Sequence, residues 1–326
     1  MESLPFLAPV TADMKRVDEV IRARLGSDVA LVRQVAEHIV AGGGKRLRPA
    51  LVLLSAGAAG YPGSTRGERH YEMAAVVEFI YTATLLHDDV VDGSELRRGR
   101  NTANAEFGNA ASVLVGDFLY SRAFQMMLGA NSMRVMQVLA DATNMIAEGE
   151  VLQLMNCHDP EVDEGRYLEV IRRKTAKLFE AAARLGALLG AAPAALEAGL
   201  AEYGMHLGTA FQLIDDVLDY SGDAEAIGKS LGDDLAEGKP TLPLIRAMAS
   251  GSAADSDAVR RAIIDGGRDA FPRVLEAVRA TGALEYARGV AGREAEAAGR
   301  ALAPLPPSTH KDSLLELARF SVTRRH

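Results

Sequence analysis

Apolar side chains recur every three or four residues along nearly the whole chain, and no segment of strand length alternates apolar and polar positions. Val17, Ile21 and Leu25, for example, share one face of the first such segment. The pattern predicts an all-α protein. Helices are expected over residues 13–25, 28–40, 47–59, 68–92, 109–128, 132–154, 164–189, 195–220, 241–249, 256–264, 272–280, 282–302 and 310–322.

Glycine and small polar residues mark where several of these helices begin and end. Ser27 is suited to cap the second helix at its N-terminus, and glycines 42–44 end that helix. Gly93 can close the fourth helix in a left-handed conformation. Two charged, glycine-containing stretches, 93–108 and 222–240, show no helical pattern and are predicted to be irregular. Loops of this kind often carry binding residues.

Each of these loops follows an acidic cluster in a predicted helix. The segments "LLHDDVVD" and "QLIDDVLD" share two adjacent aspartates and a third one turn later, within an apolar frame. Asp88 and Asp92 therefore share a helix face, as do Asp215 and Asp219. Like charges 4 Å apart cost about 4 kcal/mol at an effective dielectric constant near 20, so we expect a compensating cation. Such carboxylate pairs suit Mg²⁺. A single copy could equally be a solvated helix end, but the second copy argues against that interpretation.

Composition and charge narrow the class of ligand. The chain has 326 residues, with 36 Lys and Arg against 44 Asp and Glu, a formal net charge of −8. This charge argues against nucleic acid as the main partner, because phosphate contacts need a positive surface. An anionic substrate would need metal ions and local cations. Basic residues available for this role are Arg97, Arg98, Lys174, Lys229 and Lys239, with a further group, Lys45, Arg46 and Arg48, in "GGGKRLRP".

The single cysteine indicates the kind of cellular compartment in which the protein is expected. Cys157 excludes an internal disulfide framework and favours a reducing compartment, so we expect a cytoplasmic protein. The first residues do not combine a cationic start with an apolar stretch, so secretion is not expected. Uninterrupted apolar runs all fall short of the roughly 20 residues that span a bilayer, which favours a soluble chain.

Several motifs give the chain a family resemblance: "GGGKRLRP", "LLHDDVVDGSELRRG", "GNAASVLVGDFLYSRAFQMM", "AEGEVLQLM", "KTAKLFEAAA", "GTAFQLIDDVLDY" and "GDDLAEGKPTLPL". They resemble trans-isoprenyl diphosphate synthases of the polyprenyl synthetase family, and within it the bacterial octaprenyl diphosphate synthases that make quinone side chains. The resemblance implies one domain over residues 1–326, folded as a large helical bundle around a central deep cavity. It also implies a homodimer, for which the run "ASVLVGDFLY" is a candidate interface.

The activity that this resemblance implies is prenyl transfer. An allylic diphosphate, such as farnesyl diphosphate, would ionise and condense with successive isopentenyl diphosphates, and the apolar product would leave through transient contact with a membrane. The implied ligands of three Mg²⁺ ions are Asp88, Asp89, Asp92, Asp215, Asp216 and Asp219. The implied cations are Arg97, Lys174, Lys229 and Lys239 for the allylic diphosphate, and Lys45, Arg48 and Arg98, together with Tyr81, for isopentenyl diphosphate.

The resemblance further assigns catalytic roles to Lys174, Thr175, Gln212 and Lys239, with the oxygens of Thr175 and Gln212 facing the carbocation. Tyr81 is a departure from the family pattern, because many relatives carry a histidine at this position. A phenol can donate a hydrogen bond, but it does not become a cation near neutral pH.

Product length should depend on the residues below the first acidic cluster. Ala83 and Thr84 lie one turn deeper than Asp88 and are small, which by the family resemblance implies a long product, because a bulky aromatic there stops growth. Met126, Met127 or Phe124 on a neighbouring helix is expected to close the tunnel further down. Methionine is also common as core filler, so this assignment stays open.

Other functions remain open from the sequence alone. A shorter-chain, geranylgeranyl-type synthase would share these motifs. "HDD" at 87–89 is similar to the metal-binding pair of HD-type phosphohydrolases, but these need several histidines and would leave the second cluster unexplained. A non-catalytic subunit would not need intact aspartates, and a terpene cyclase would not need the basic group around Lys45. His87 lies in an apolar frame and is expected to pack rather than to transfer protons.

Overall fold

The computed structural model describes residues 4–61, 67–97, 99–221 and 231–324, and most of them are helical. Arg98 and Lys229, two of the predicted phosphate ligands, lie outside the described residues. The helices are α1 (Thr11–Arg24), α2 (Ala30–Ala41), α3 (Leu47–Ala58), α4 (Arg69–Val91), α5 (Ala103–Phe107), α6 (Asn109–Met127), α7 (Met133–Asn156), α8 (Glu164–Ile171), α9 (Lys177–Leu189), α10 (Ala194–Ser221), α11 (Asp233–Ala236), α12 (Leu242–Ser250), α13 (Ala253–Asp265), α14 (Phe271–Ala280), α15 (Ala283–Ala301) and α16 (Thr309–Thr323). The prediction of an all-α protein is confirmed.

Shorter elements complete the described chain. They are 3₁₀ helices at Pro5–Val10 and Leu128–Ala130, a π turn at Arg172–Ala176, and an antiparallel pair of two-residue strands, β1 (Leu96–Arg97) and β2 (Arg100–Asn101). None of them was predicted, because each is too short to show a period in the sequence.

At two places where the observed helices differ from the predicted ones, a side-chain hydroxyl accepts a hydrogen bond from a backbone N–H. The hydroxyl of Ser27 accepts a hydrogen bond from the backbone N–H of Val29 at 3.2 Å, and α2 begins only at Ala30. The stretch 93–108, predicted to be irregular, contains the strand pair and α5. This short helix forms because Thr102 caps it, its hydroxyl accepting from the N–H of Ala105 at 3.4 Å.

The end of α4 forms as predicted from Gly93. The glycine adopts a φ of 63°, and its N–H donates to the carbonyl of Val90 at 3.4 Å. The N–H of Ser94 donates to the carbonyl of Asp89 at 2.9 Å. These two bonds form a Schellman motif, in which the left-handed residue is favoured as glycine. The chain therefore turns back sharply just after the first acidic cluster.

The chain divides into two compact units. The first contains Met1–Thr143, Leu178–Gly204 and Gly299–Leu317, and the second contains Asn144–Lys177, Met205–Ala298 and Ala318–His326. A single domain over the whole chain stays a prediction. Within the described residues, none of the helices is both long and apolar enough to cross a bilayer.

Each unit has its own apolar core. In the first unit, every residue of α4 from 73 to 80 is buried, and α9 approaches α3 so closely that a Cβ on Gly186 would lie 2.5 Å from the nitrogen of Ala56. In the second unit, buried residues of α10, α12, α13, α14 and α15 form one cluster, which includes Leu213, Val217 and Leu244. Both acidic clusters therefore lie on helices that are anchored in a core.

Candidate active site

The C-terminal turn of α4 carries the first acidic cluster. Asp89 is buried, with 4% of its surface exposed, while Asp88 and Asp92 are half-buried. The turn after Gly93 brings β1 back to the helix, where Arg97 donates from Nε and Nη2 to Oδ1 of Asp89 at 2.9 and 2.7 Å. Burial disfavours the charged guanidinium, but the Asp89 carboxylate outweighs it and raises the pKa of Arg97. One aspartate of the cluster is therefore paired inside the protein.

The basic segment "GGGKRLRP" leads into α3 in the same unit. Arg46, at a φ of 49°, donates from Nη1 to Oε1 of Glu78 at 2.7 Å, and its Nε lies 3.3 Å from Oδ1 of Asp18. The guanidinium carbon of Arg48 lies 3.8 Å from the centre of the Tyr81 ring. Lys45 is half-buried. Within this segment, Arg46 thus pairs with carboxylates and Arg48 packs on an aromatic face.

The second acidic cluster lies in the last turns of α10, in the second unit. Asp216 is 3% exposed. Its Oδ2 accepts from the hydroxyl of Tyr167 at 2.5 Å, and its Oδ1 accepts from Nε2 of Gln212 at 2.8 Å. Burial, followed by the charge of Asp234, raises the pKa of Asp216 well above its ordinary value. Neutral donors therefore orient this carboxylate without compensating its charge.

Asp219 lies one turn further along α10. It accepts from the backbone N–H groups of Asp233 and Asp234, each at 3.3 Å, so its side chain caps the short helix α11. Burial, followed by the charges of Asp234 and Asp233, raises the pKa of Asp219 to about 8. The acidic residues of "GDDLAEGKP" thus add negative charge beside the second cluster.

Asp215, the remaining member, pairs with the C-terminal part of the chain. Its Oδ1 accepts from Nη2 of Arg324 at 2.7 Å, and the Arg324 guanidinium lies 3.8 Å from the centre of the Phe211 ring. The same Nη2 donates to the carbonyl of Phe211 at 2.7 Å. The residues after α16 therefore hold one aspartate of α10 in place.

The π turn between α8 and α9 carries two of the predicted catalytic residues. The N–H of Lys177 donates to the carbonyl of Arg172, five residues back, which is the mark of a π turn. Lys174 pairs with Glu150, Nζ to Oε2 at 2.6 Å. The hydroxyl of Thr175 donates to Oε1 of Gln212 at 2.9 Å. Thr175, Gln212 and Asp216 thus form one hydrogen-bonded chain.

The loop after α11 carries Lys239, which pairs with Glu237. The backbone N–H of His158 donates to the carbonyl of Gly238 at 2.8 Å. The Nδ1 of His158 lies 3.1 Å from the carbonyl oxygen of Ile263; because a carbonyl only accepts, Nδ1 carries the hydrogen. His158 thereby fixes the backbone next to the predicted catalytic lysine.

The donor set of both clusters fits a hard cation. Carboxylate oxygens are the ligands that Mg²⁺ prefers, usually one or two of them together with water and substrate phosphate oxygens. Within the parts of the chain that the structure describes, no group of three or more His, Cys, Asp or Glu side chains is placed to hold a metal ion. Burial, followed by the charge of Asp234, raises the pKa of both Asp216 and Asp219 in the second cluster.

Comparison with known proteins decides the family. The model of the polyprenyl synthetase family matches residues 29–278. The chain belongs to the polyprenyl synthetase family. Octaprenyl diphosphate synthase of Escherichia coli (strain K12) is 53% identical to it over 313 residues, or 96% of each chain. The geranyl-diphosphate-specific all-trans-nonaprenyl-diphosphate synthase of Rhodobacter capsulatus is 46% identical over 319 residues, covering 98% of this chain and 97% of that one.

A solved structure of this family resembles the whole chain. Polyprenyl synthase from Caulobacter crescentus CB15, complexed with calcium and isoprenyl diphosphate, superposes with a TM-score of 0.94 at 46% identity. The match covers 98% of this chain and 97% of the other. The prediction of a polyprenyl synthetase is confirmed, and these similarities do not favour the HD-type phosphohydrolase.

The predicted length-setting residues of this polyprenyl synthetase lie in the first unit. Ala83 is fully buried in a cluster with Val115 and Leu119 of α6. The hydroxyl of Thr84 donates to the carbonyl of Tyr81 at 2.8 Å. Of the three candidates on α6, Met126 and Met127 are buried, whereas Phe124 is 41% exposed. Their roles in product length stay predictions.

His87 packs against α6, with 31% of its side chain exposed. A Cβ on Gly116 of α6 would lie 2.3 Å from its Nε2, so the ring packs where that helix has no side chain. Its Nε2 lies 3.2 Å from the carbonyl oxygen of Val113.

Sequence reasoning missed several residues that contact the two acidic clusters of the polyprenyl synthetase. Tyr167 and Arg324 lie 49 and 109 residues from the aspartates that they contact. Asn104 donates to the carbonyls of Asp89 and Ser94, both at 3.1 Å. No local spacing signals such partners, because they meet the clusters only through the fold.

Proposed function

We infer that the chain is a long-chain trans-polyprenyl diphosphate synthase, a prenyltransferase that adds isopentenyl diphosphate units to an allylic diphosphate. The observation that carries this inference is the similarity to an octaprenyl diphosphate synthase over nearly the full length of both chains. The intact Asp-Asp-x-x-Asp pattern in both clusters supports catalysis rather than a purely structural role. The apolar product is proposed to serve as a quinone side chain and to leave by transient contact with a membrane.

The metal proposed for this reaction is Mg²⁺, bound by the six aspartates. Ionised, they carry a charge of about −6, which three divalent ions would balance. When bound, the ions supply positive charge to the departing diphosphate. The relative from Caulobacter crescentus CB15 is complexed with calcium and isoprenyl diphosphate, which supports a metal-assisted diphosphate site.

Basic side chains are proposed to hold the allylic diphosphate while its C–O bond breaks. Lys174 and Lys239 each pair with a glutamate, and Arg97 pairs with Asp89, so each cation is held in place. A diphosphate would compete with these carboxylates for the same N–H groups. Preorganised cations aimed at developing negative charge are a large source of rate enhancement. Lys229 is proposed to join this set.

The polar side chains of the π turn and α10 are proposed to face the positive charge that remains on the allylic carbon. The hydroxyl of Thr175 donates to Gln212, and the amide of Gln212 donates to Asp216. The Thr175 hydroxyl uses its one hydrogen inside the protein, so the lone pairs of its oxygen and the second lone pair of Gln212 Oε1 are the groups that can face a carbocation. The double bond of isopentenyl diphosphate then attacks, and the released pyrophosphate takes the proton.

Isopentenyl diphosphate itself is proposed to bind through Lys45, Arg48 and Arg98. A guanidinium presents a fork of N–H donors that matches the oxygens of a phosphate. Arg46 of the same segment pairs with Glu78.

A homodimer is proposed for the assembled enzyme. Leu114 on α6 is 65% exposed, Phe124 on the same helix is 41% exposed, and Leu128 directly after it is 63% exposed. Their spacing places them along one side of the helix. Exposed apolar side chains of this kind are typical of a protein interface.

The test is a product assay with the purified chain. Farnesyl diphosphate, Mg²⁺ and excess radiolabelled isopentenyl diphosphate should yield a labelled long-chain product on reversed-phase chromatography. A product of geranylgeranyl length would instead assign a short-chain synthase. Release of phosphate from farnesyl diphosphate without isopentenyl diphosphate would assign a hydrolase.

A further inference from the structure

Two aromatic rings pack against the guanidinium of Arg48. Its central carbon lies 3.8 Å from the ring centre of Tyr81 on α4 and 4.4 Å from that of Phe179 on α9. Phe179 is fully buried, and Tyr81 and Arg48 are half-buried. The buried Nε of Arg48 has no hydrogen-bond partner among the described residues. The packing therefore fixes the plane of the guanidinium, although that Nε–H remains unpaired.

The same helix also holds the neighbouring arginine. Glu78 and Tyr81 are three residues apart on α4 and therefore neighbours on its surface. Glu78 binds Arg46 through a hydrogen-bonded ion pair of 2.7 Å, and Tyr81 contacts Arg48. One turn of α4 thus sets the direction of two side chains at the start of α3.

The two contacts differ in their electrostatic effect. A carboxylate compensates the charge of Arg46, whereas an aromatic face attracts a cation without cancelling its charge. Stacking also occupies the flat face of a guanidinium and leaves the N–H groups at its edge able to donate to an anion. Arg48 therefore keeps both its charge and its donors.

We propose that Tyr81 is a positioning residue whose ring, not its hydroxyl, orients Arg48 for the diphosphate of isopentenyl diphosphate. The inference rests on the proposed function, in which Arg48 binds that diphosphate. Holding a long side chain in its binding orientation lowers the entropy lost on binding. Tyr81 thus raises affinity for isopentenyl diphosphate by acting through Arg48.

Steady-state kinetics of two variants of the full-length chain test this proposal. Tyr81→Phe keeps the ring and removes the hydroxyl, and it should retain a KM for isopentenyl diphosphate within about twofold of wild type. Tyr81→Leu removes the aromatic face and should raise this KM by about threefold to thirtyfold, the range that corresponds to a cation–π contact. The KM for farnesyl diphosphate should stay unchanged in both variants.

A double-mutant cycle tests whether the effect passes through Arg48. Lysine lacks the flat, stacking guanidinium, so Tyr81→Leu should have a smaller effect on the KM for isopentenyl diphosphate in an Arg48→Lys background. An equal fold-change in both backgrounds would show that Tyr81 acts elsewhere. Melting temperatures identify general destabilisation, which would raise KM for both substrates together.

Each outcome decides the proposal. If Tyr81→Phe loses affinity as much as Tyr81→Leu does, the hydroxyl is the working group and the proposal is wrong. If Tyr81→Leu has a wild-type KM, the stacking contact is irrelevant and the proposal is equally wrong. Even if Tyr81→Leu fails to fold, a raised KM for isopentenyl diphosphate in Tyr81→Phe would overturn the proposal, because this variant keeps the ring. Failure of the proposed function would show instead as absence of condensation in the wild-type protein.

Discussion

At the scale of single residues, the two acidic clusters differ in the groups that surround the buried carboxylate of each. In the first cluster a cation compensates its negative charge, and in the second the described donors that contact it are neutral. Asp89 accepts two hydrogen bonds from a guanidinium. Asp216 accepts from a phenol and an amide, which carry no charge, and its pKa is raised. Because neutral donors leave net negative charge in place, we expect the second cluster to depend more strongly on bound cations.

Tyr167→Phe tests the role of the phenol. Loss of the hydroxyl frees the Asp216 carboxylate to rotate, and loss of such a supporting hydrogen bond typically costs tenfold to a hundredfold in metal affinity or activity. We therefore expect the Mg²⁺ concentration for half-maximal activity to rise by about tenfold or more. Tyr286→Phe is the matched control, because this hydroxyl also donates to a carboxylate, that of Glu164, at 2.8 Å. Equal Mg²⁺ requirements in both variants would refute the assignment.

Ala83→Phe tests whether the small side chain of Ala83 keeps the proposed product channel open. Ala83 is buried beside Val115 and Leu119. If the proposed channel passes this position, a phenyl ring there would narrow it. Product length, read by chromatography, should fall. Ala83→Val should give an intermediate length, and thermal melting measures the overpacking cost, typically about 1–3 kcal/mol. An unchanged length in a folded Ala83→Phe variant would reject this role.

The aspartates could be found from the sequence, but their neutral partners could not. The clusters repeat a local pattern with helical spacing, which a single chain displays directly. Tyr167 lies 49 residues from Asp216. Nothing distinguishes it in the sequence from a tyrosine that only packs in a core.

At the scale of secondary-structure elements, the π turn at Arg172–Ala176 is the feature that periodicity could not show. Five residues are too few to show a change of period between the apolar patterns of α8 and α9, so one helix over 164–189 was predicted. The turn fits against α7 because position 149 is glycine: a Cβ there would lie 2.6 Å from the backbone nitrogen of Lys174.

Gly149→Ala should therefore displace the π turn. Because the nearest atoms belong to backbone, the strain cannot be relieved by a side-chain rotation, and we expect kcat to fall by about tenfold or more as Lys174 and Thr175 move. Gly292→Ala, on α15, is the control, because nothing lies within 4 Å of its added Cβ. That control should stabilise the protein by about 0.5–1 kcal/mol, as is usual within a helix. Wild-type kcat in Gly149→Ala would contradict this account.

At the scale of the whole molecule, the fold class followed from sequence because helical periodicity extends along nearly the entire chain. Assembly could not be predicted in the same way. Leu114 and Leu119 lie in one apolar run, yet the first is 65% exposed and the second is buried. Only the packed structure separates core residues from a candidate interface.

Leu114→Lys tests the proposed dimer. A charge in the centre of a packed interface must be desolvated, so light scattering should show a shift from dimer mass towards monomer mass. Val29→Lys, which changes a 59% exposed residue before α2, should leave the mass unchanged. A wild-type protein of monomer mass would refute the dimer, and an unaltered Leu114→Lys dimer would refute this interface.

The most direct test of the central claim measures the rate of isopentenyl transfer at saturating Mg²⁺ in Asp88→Asn and Asp219→Asn, one variant from each cluster. The account predicts that both rates fall by about a hundredfold or more, because each variant removes a proposed metal ligand. Asp141→Asn, at an exposed position of α7, should keep the wild-type rate. Near-wild-type transfer in either cluster variant would contradict the claim that both clusters serve one reaction.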